Sequence, residues 1–520
     1  MSSAVVTRFA LRGVCETFGR VAGRRFMVAA LAWLVLFAPP HVFAAADSPK
    51  VSGPIGGAAK IAFGVDYELA KVGYEEAEFI LTGAAHSYSP STPLTAEQHG
   101  RWATAPDAAV GPYTTRIVVW RPIDPRRFNG TVWVEWLNNS GGQDSALDWA
   151  LIHNELVREG AAWVGVTNQA AGVNALRNLP FGDPTRYASL SHPGNKYAFD
   201  IFSQAAQAVA DNPMLVLKAS TGSAKQSGAR PVRLIGIAIS SGASDLVTYV
   251  DGVHGHSRVF HGYLVHSRIG AVPALQDGAS AVGAVPNPVP VRDDLDVPVL
   301  VIQSQSDVLN FVATRQPDSA KIRWWEVAGA AHYDYYGVAT AHVDTGAGEG
   351  AVQSLESMLK PTGVILPGRA ECTIPINTGP MHWVLNAGVH ALDKWVREGT
   401  APPIAPRLEM ASMSPATFAT DAFGNVKGGV RTPHVDAPIA TLTGNGNPVF
   451  TDKPLTFACG LFGQTIPFTS ARLSELYKSQ DDFVSKWKAS AQAAVKAGFL
   501  VPADAKELTD AAVRTSIGGR

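Results

Sequence analysis

Short apolar runs alternate with amphipathic segments along the chain from about residue 115 to residue 399. The runs are rich in branched and aromatic side chains and are bounded by turn residues, which is typical of β-strands. The segments between them repeat apolar residues at helical spacing. The predicted strands cover residues 115–122, 130–138, 161–169, 232–239, 259–267, 297–304 and 321–329. The predicted helices cover residues 148–160, 197–211, 243–253 and 382–399.

This alternation of strands and helices predicts an α/β fold with a doubly wound, mostly parallel sheet. The strands are apolar almost throughout, which indicates burial on both faces. We expect the fold to occupy residues 47–400, beginning with an N-terminal extension at 47–113 whose layout the pattern does not decide. Beyond it, a proline-rich connection, a predicted edge strand and helical patterns near 470–498 indicate a C-terminal extension at 401–520 that packs on the main domain.

The beginning of the chain, residues 1–46, has the pattern of a secretory signal peptide. Arginines precede the apolar run FMVAALAWLVLFA, and small residues follow it, so we expect cleavage after Ala44 or Ala46. The run is shorter than a comfortable membrane span, although an uncleaved anchor is the alternative. We therefore expect a periplasmic or secreted protein with no stable membrane anchor after cleavage.

Composition and charge narrow the classes of partner. The chain has 520 residues, of which 46% are hydrophobic and 17% are charged, and its formal net charge is -1. A chain of this length can bury a large core. A near-neutral chain lacks the basic surface that binds nucleic acids or acidic membranes, so we expect no nucleic-acid partner. The oligomeric state does not follow from the composition.

The cysteine content agrees with an oxidising compartment. Removal of the signal peptide would take Cys15 away and leave Cys372 and Cys459. An even number of cysteines favours a disulfide in an exported protein, and two separate buried thiols are the equal alternative. The sequence shows no group of cysteines and histidines at metal-ligand spacing, so we expect neither a zinc site nor a cofactor.

A candidate nucleophile lies where the predicted strand at 232–239 runs directly into a helix. The sequence there is AISSG, and a tight strand-to-helix turn requires small residues two positions before and two positions after the nucleophile. Ala238 and Gly242 meet this requirement around Ser240. If Ser241 were the nucleophile instead, Ile239 would lie two positions before it, and a branched side chain fits poorly in such a tight turn. Ser240 is therefore the predicted nucleophile, and a plain turn with a helix-capping serine is the alternative.

An acid and a histidine are expected after the nucleophile, in that order, at the ends of later strands. Asp307 follows the apolar run VPVLVIQSQS, and His332 follows WWEVAGAA. In this arrangement the histidine would deprotonate the serine, and the aspartate would orient the imidazole. A helix cap is the alternative role for Asp307. His382 also follows Asp307 in the chain, but it begins a predicted helix.

The loop NNSGGQD, residues 138–144, is the candidate oxyanion hole. Its consecutive small residues let the backbone approach a ligand closely, and the second donor would be the N–H of the residue after the nucleophile, Ser241. Ser140, Gly141 and Gly142 are the candidate loop donors. A glycine turn without such a role is the alternative.

With these residues assigned, the chain resembles the secreted bacterial proteins called "alpha/beta hydrolase domain" proteins. The resemblance covers about residues 55–500 and is carried by VEWLNNSGG, HPGNKYAFDIFSQA, SSGASDLVTYV, WWEVAGAAHYD, WVREGTAPP and GGVRTPHVDAPIA. It implies an α/β-hydrolase fold and a serine hydrolase with ester-hydrolase-like activity.

The family usually has Gly-Glu-Ser-Gln-Ser at its nucleophile, and its serine corresponds to Ser240. Its acid strand usually ends in Glu-x-Asp, which corresponds to Gln305 and Asp307. This chain departs from the family pattern at Ala238 and Ile239, which replace Gly-Glu, and at Gln305. If relatives use the replaced glutamate as their acid, this chain needs Asp307 instead.

These observations lead to the hypothesis of an exported serine hydrolase that cleaves small or polymeric carboxylic esters through an acyl-enzyme on Ser240, without a cofactor. One alternative is the same triad acting on a lactone, an amide or a β-diketone C–C bond. Another is a non-catalytic binding protein on this fold, suggested by the altered residues near the nucleophile and the acid. Core packing, rather than a substrate pocket, is the expected role of Trp136, Trp149, Trp324 and Trp325.

Overall fold

The computed structural model describes residues 48–217, 232–268, 272–276, 289–366, 370–448 and 456–517. The described residues belong to one compact unit. The predicted signal peptide, residues 1–46, lies outside the described residues. Among the described helices, none is long and apolar enough to cross a membrane.

One large sheet organises the described residues. Its strands are β1 (Lys50–Ser52), β2 (Tyr74–Pro90), β3 (Thr104–Pro122), β4 (Thr131–Trp136), β5 (Ala162–Val166), β6 (Arg233–Ile239), β7 (Gly262–His266), β8 (Val299–Ser304) and β9 (Ile322–Val327). They form a nine-stranded sheet in the order β1-β2-β3-β5-β4-β6-β7-β8-β9. Pairing is antiparallel from β1 to β5 and parallel from β5 to β9. The predicted doubly wound, mostly parallel sheet is confirmed.

Helices lie along both faces of this sheet and in the C-terminal part. They are α1 (Leu147–Glu159), α2 (Ala170–Leu176), α3 (Ala198–Asp211), α4 (Ser241–Gly252), α5 (His254–Ser257), α6 (Gln305–Phe311), α7 (Glu349–Leu359), α8 (Met381–Glu398), α9 (Pro433–Asp436), α10 (Ser470–Leu476), α11 (Gln480–Ala497) and α12 (Pro502–Arg514). Short hairpins pair β10 (Val364–Leu366) with β11 (Ala370–Glu371), β12 (Met410–Met413) with β13 (Ala416–Phe418), and β14 (Ala440–Thr443) with β15 (Gln464–Pro467).

Each face of the sheet has its own apolar core. In β6, Leu234 and Ala238 belong to the core under α3 and α4, whereas Ile235, Ile237 and Ile239 belong to the core under α1 and α8. This alternation follows from the pleat, which points successive side chains to opposite faces. It explains why the parallel strands are apolar almost throughout. The four tryptophans predicted to pack in the core, Trp136, Trp149, Trp324 and Trp325, are all fully buried.

The N-terminal extension, whose layout the sequence did not predict, is a long antiparallel pair. β2 and β3 run side by side from Tyr74, opposite Pro122, to Pro90, opposite Thr104. Their far half contains glycine and proline, including the pair Ala85–Gly111, and the register shifts nearby. Glycine and proline weaken the strand signal in a sequence, which is why residues 115–122 of β3 were the part of this ribbon that was predicted as a strand.

The C-terminal part, residues 401–520, builds a third core together with α7 and Trp383. Phe483 and Trp487 of α11 are fully buried there. The predicted helical patterns near 470–498 correspond to α10 and α11, but α12 was missed. α12 buries mainly alanines and Leu508, so its apolar stripe is weak in the sequence. The boundary at residue 400 stays a prediction.

A disulfide joins Cys372 and Cys459. Both cysteines are buried, and the bond closes a loop with a sequence separation of 87 residues. A cross-link of this kind restricts the unfolded chain more than the folded one, and the effect grows with loop length.

We expect the double replacement Cys372→Ala and Cys459→Ala to lower the free energy of unfolding by up to about 4–5 kcal/mol, the loop-entropy value for a loop of this length. Equilibrium urea denaturation of the two proteins checks this. A reducing agent should destabilise the wild type and leave the double variant unchanged. Equal stability of the two proteins in the absence of reductant would show that the bond constrains nothing.

A buried histidine makes the stability of the C-terminal part depend on pH. His434 is 1% exposed, its Nδ1 lies 3.1 Å from Thr432 Oγ1, and its ring packs 5.3 Å from that of Trp487. Burial lowers the pKa of His434 to about 3. Because the unfolded chain takes up this proton near pH 6.5, stability present above that pH is lost as the pH falls toward 3.

Replacing His434 by glutamine keeps a polar side chain and removes the titration. We expect acidification from pH 7.5 to pH 5 to cost the wild type about 2 kcal/mol more than the His434→Gln variant. Urea denaturation at the two pH values measures the difference. Parallel pH profiles for the wild type and His434→Gln would refute the assignment.

Candidate active site

The three residues predicted for catalysis follow strands in the parallel half of the sheet. Ser240 follows β6, Asp307 lies in the first turn of α6 after β8, and His332 lies in the loop after β9. The strands β6, β7, β8 and β9 are neighbours and parallel, so their carboxyl ends lie at one edge of the sheet. Ligands bind at this edge in open α/β sheets. The structure thus places all three segments at one edge.

Ser240 occupies a strained turn. Its backbone has φ 65° and ψ −129°, a combination that non-glycine residues avoid and that costs about 1–3 kcal/mol. Its N–H donates to the carbonyls of His266 and Ser267, each at 3.2 Å, and its carbonyl accepts the N–H of Ser244 at 3.2 Å. The Ser240 side chain makes no capping hydrogen bond to α4. The alternative of a helix-capping serine is therefore not what the structure shows.

The small residues around Ser240 have steric reasons. A Cβ added to Gly242 would lie 3.3 Å from the carbonyl oxygen of Trp136 and 3.6 Å from the Cβ of Ala238. Two of the three departures from the family pattern, Ala238 and Ile239, point into the two cores on opposite faces of the sheet. Both side chains are buried in apolar surroundings, so these changes are absorbed by packing.

Asp307 and His332 form a direct hydrogen-bonded pair. His332 Nδ1 lies 2.8 Å from Asp307 Oδ1, and Ser304 Oγ donates to Asp307 Oδ2 at 2.6 Å. The backbone N–H of His332 donates to Ser306 Oγ at 2.9 Å, which fixes the loop after β9 against α6. Asp307 is 1% exposed and His332 is 3% exposed. Neither side chain can reorient without breaking buried hydrogen bonds.

The surroundings keep Asp307 ionised. Burial raises the pKa of Asp307, but the charge of His332 and the hydrogen bonds from His332 and Ser304 lower it, and the net pKa lies below its ordinary value. A carboxylate at Oδ1 accepts a proton-bearing Nδ1, so the neutral imidazole carries its proton there and leaves Nε2 as the acceptor. This is the tautomer that a general base requires.

His382, the alternative histidine, and Gln305, at the position of the family's glutamate, have other contacts. His382 Nδ1 lies 2.6 Å from the carbonyl of Leu151, and its ring stacks at 3.7 Å on Tyr336. Burial lowers the pKa of His382 to about 3, so it stays neutral within the core. Gln305 donates its side-chain amide to Thr443 Oγ1 at 3.3 Å. Among these candidates, it is Asp307 and His332 that the structure pairs.

The candidate oxyanion loop lies against the turn at Ser240. Ser140 Oγ is 2.7 Å from Ser241 Oγ. The N–H of Ser140 donates to Asn138 Oδ1 at 2.9 Å, and the N–H of Gly142 donates to the carbonyl of Asn139 at 2.9 Å. Two of the three predicted loop amides are thus engaged inside the loop. The amide of Gly141 has no partner among the described residues.

A buried charge cluster anchors this loop, and the sequence analysis did not predict it. Asp144 accepts from Arg116 at 3.1 Å through Oδ2, from Thr167 through the same oxygen, and from Asn139 at 3.1 Å through Oδ1. Arg116 is fully buried and also donates to Glu78 at 2.7 Å. The available signal was an arginine inside the apolar run TRIVVWRP, where a charge needs a buried partner.

A second histidine–carboxylate pair, also missed, lies next to the site. His266 Nδ1 is 2.9 Å from Asp148 Oδ1, and both residues are fully buried. Burial and the charge of His332 lower the pKa of His266 to about 3 despite the opposing charge of Asp307. His266 is therefore neutral, and it adds no positive charge beside His332.

Among the described residues, the group with metal-ligand geometry is Glu155, Glu159 and His390 on α1 and α8. His390 Nδ1 lies 2.6 Å from Glu159 Oε1 and 3.6 Å from Glu155 Oε1. Hydrogen bonds to Glu155 and Glu159 raise the pKa of His390 to about 10, so an ion pair accounts for the group. The absence of a metal or cofactor from the reaction stays a prediction.

Comparison with known proteins identifies the family. Residues 51–510 match the family described as "Alpha/beta hydrolase domain". Because the match spans most of the chain, this protein belongs to that family, and its sheet is the α/β-hydrolase fold. No curated protein matches the chain.

Among solved structures, the chain is similar to one from an analysis of two fungal esterases from Rhizomucor miehei, with 13% identity over 44% of this chain and 74% of that chain and a TM-score of 0.26. It is also similar to an arylesterase, with 9% identity over 41% of this chain and 72% of that chain and a TM-score of 0.23. Likeness at this level carries no information on substrate.

The strained backbone of Ser240 predicts an unusual order of stability. Glycine adopts positive φ without the cost that a side chain incurs, so we expect Ser240→Gly to be about 1 kcal/mol more stable than Ser240→Ala. Urea denaturation measures this difference. The matched control is Ser244 inside α4, where glycine should be about 1 kcal/mol less stable than alanine. The same order at both positions would mean that the turn at Ser240 is not strained.

Proposed function

We propose that this member of the alpha/beta hydrolase domain family is an exported serine hydrolase that cleaves carboxylic esters. The observation that carries the proposal is the buried Asp307–His332 pair, with 2.8 Å between Oδ1 and Nδ1, at the sheet edge where Ser240 lies in a strained strand-to-helix turn. A strained turn that presents a serine, followed in chain order by an acid and a histidine, is the arrangement expected for nucleophilic acyl transfer.

In the proposed first half-reaction, Ser240 Oγ attacks the carbonyl carbon of the ester while His332 Nε2 takes the hydroxyl proton. The electron pair of the carbonyl bond moves to its oxygen and forms a tetrahedral oxyanion. When the intermediate collapses, the bond to the alcohol oxygen breaks, and His332 donates its proton to that oxygen. The products are the free alcohol and an acyl group on Ser240.

In the second half-reaction, water attacks the acyl carbon and His332 accepts a proton from it. Collapse of the second tetrahedral intermediate breaks the bond to Ser240 Oγ, which recovers its proton from His332, and the carboxylic acid leaves. Asp307 stays ionised throughout, because its pKa is held below the ordinary value, and it stabilises the imidazolium that forms in each half-reaction. The reaction consumes one water and needs no other reactant.

The oxyanion would be stabilised by backbone donors on two segments. Ser241 is the first residue of α4, so its N–H lies at the helix end that carries partial positive charge. The N–H of Gly141 is the loop amide without a partner among the described residues. Preorganised donors of this kind contribute about 3–4 kcal/mol each in serine hydrolases.

Export is part of the proposal and has two supports. The described residues contain a Cys372–Cys459 disulfide, which persists in oxidising compartments. The sequence pattern of residues 1–46 is that of a cleaved signal peptide.

The test is labelling with a fluorophosphonate probe, followed by mapping of the modified residue. We expect the wild type to be labelled at Ser240 and to hydrolyse p-nitrophenyl esters. We expect Ser240→Ala to lose the label and at least about a thousandfold in kcat, since the nucleophile is removed. Asp307→Asn should keep the fold and lose about 10⁴-fold, because the amide favours the wrong imidazole tautomer.

The matched control is Ser244→Ala, four residues along in α4, which should keep both label and activity. Labelling at another serine, or full activity of Ser240→Ala, would refute the proposal. Labelling at Ser240 with turnover of a lactone, an amide or a β-diketone but not of esters would keep the nucleophile and change the substrate class. A folded protein that takes no label would favour a binding function.

A further inference from the structure

Asn138 connects the candidate oxyanion loop to the turn at Ser240. It lies just beyond the end of β4 and is 2% exposed. Its Oδ1 accepts the N–H of Ser140 at 2.9 Å. Its Nδ2 donates to the carbonyl of Ile239 at 3.2 Å and to Ser241 Oγ at 3.3 Å. One side-chain amide therefore joins the loop to the residues immediately before and after Ser240.

The orientation of this amide follows from its partners. A backbone N–H can only donate and a backbone carbonyl can only accept, so Oδ1 must face Ser140 and Nδ2 must face Ile239. The backbone of Asn138 is fixed as well, since its N–H donates to the carbonyl of Ser145 at 3.2 Å and its carbonyl accepts the N–H of Ser145 at 3.0 Å. Asn138 is thus held on both its backbone and its side chain.

The loop and the turn touch a second time through a hydroxyl pair. Ser140 Oγ lies 2.7 Å from Ser241 Oγ, and Ser241 Oγ is the atom that Asn138 Nδ2 also approaches. The three side chains, together with the backbone N–H of Ser140, form a closed polar bridge. The bridge spans the two segments that carry the proposed oxyanion donors, Gly141 and Ser241.

We propose that Asn138 is a positioning residue for this site, which holds the loop at residues 138–144 against the turn at Ser240 so that the Gly141 and Ser241 amides face one oxyanion. The inference rests on the proposed function and adds to it a residue that touches neither the substrate nor the nucleophile. By binding the N–H of Ser140, Asn138 directs that amide into the loop and leaves Gly141 as the loop donor. The hydroxyl pair of Ser140 and Ser241 then maintains the spacing between the donors.

The chemistry required at this position is specific to an amide. Aspartate has the same shape and can still accept from Ser140, but it cannot donate to Ile239 or Ser241. It would also place a negative charge close to a developing oxyanion. Alanine removes all three contacts. The two replacements therefore separate loss of the bridge from loss of side-chain volume.

The experiment compares the wild type with Asn138→Asp and Asn138→Ala on a p-nitrophenyl ester and on a trifluoromethyl ketone inhibitor, whose adduct with the serine carries an oxyanion. We expect kcat to fall by about 10- to 100-fold, which is less than the loss caused by removing an oxyanion donor outright. KM should change by less than about threefold, since ground-state binding does not use the donors. The inhibition constant should rise in proportion to the loss in kcat/KM.

The matched control is Asn129→Ala. Asn129 lies at the opposite end of β4, where its Oδ1 accepts the N–H of Thr131 at 2.8 Å. It should keep kcat, KM and the inhibition constant. A variant that is damaged only in folding would lose active enzyme without shifting the inhibition constant of the remainder, which labelling with the fluorophosphonate probe quantifies.

The hydroxyl pair gives a second measurement should the Asn138 variants fail to fold. Ser140→Ala and Ser241→Ala should each lower kcat, and the double variant should lose little more than either single variant, because both remove the same contact. Additive losses, or unchanged kcat in every variant including Asn138→Asp, would overturn the inference while the Ser240 label stays in place. A wild type that shows no Ser240-dependent labelling would overturn the proposed function itself.

Discussion

The parallel alignment of β6, β7, β8 and β9 is the constraint on which the candidate site depends. In the registers of these strands, Ile239 pairs with His266, His266 with Ile302, and Ile302 with Trp325. A single row of hydrogen-bonded residues thus crosses the sheet just before the strands end. The segments that follow begin at nearly the same level, although they are far apart in the chain. Side chains from distant parts of the sequence therefore meet at this edge, and no long loop is needed to bring them together.

Buried charges hold the candidate oxyanion loop at this edge. Arg116 is fully enclosed and is satisfied by Glu78 and Asp144. Removing one partner from such a cluster typically costs about 3–5 kcal/mol, because the other charge is left unpaired in a low-dielectric interior. Asp144 of this cluster belongs to the candidate oxyanion loop, so disrupting the cluster would also disturb the site. Packing alone would tolerate small shifts of the loop, whereas a hydrogen-bonded charge does not.

The turn at Ser240 is the opposite kind of feature, since it stores strain. Its backbone φ of 65° is unfavourable for a serine, and the turn persists because β6 is packed into both cores and α4 into one of them. Hydrogen bonds from the Ser240 N–H to the carbonyls of His266 and Ser267 hold it further. A rigid scaffold and a strained functional residue are commonly found together, because the surrounding structure determines the strained conformation.

Sequence patterns succeeded where the physical cause was local. The parallel strands were predicted because burial on both faces requires unbroken apolar runs, and α1 was predicted to end at Gly160, which adopts positive φ. Ser240, Asp307 and His332 were selected because each follows a strand that the pattern identified. β2, the first part of β3 and α12 were missed, since glycine, proline and alanine weaken the periodic signals on which such predictions rely.

The Asp307–His332 pair was expected from the sequence, whereas tertiary structure alone decided which other polar groups meet. Nothing in the spacing of residues indicates that Asn138 bridges to Ser241, that Arg116 holds Asp144, or that His266 pairs with Asp148, because these contacts join segments from different strands. The sequence by itself determined the order of the strands along the chain, the periodic spacing of the buried side chains, and the residue types available at each strand end. The register between strands decided the geometry, since it depends on pairing energies summed over the whole sheet and not on any single stretch.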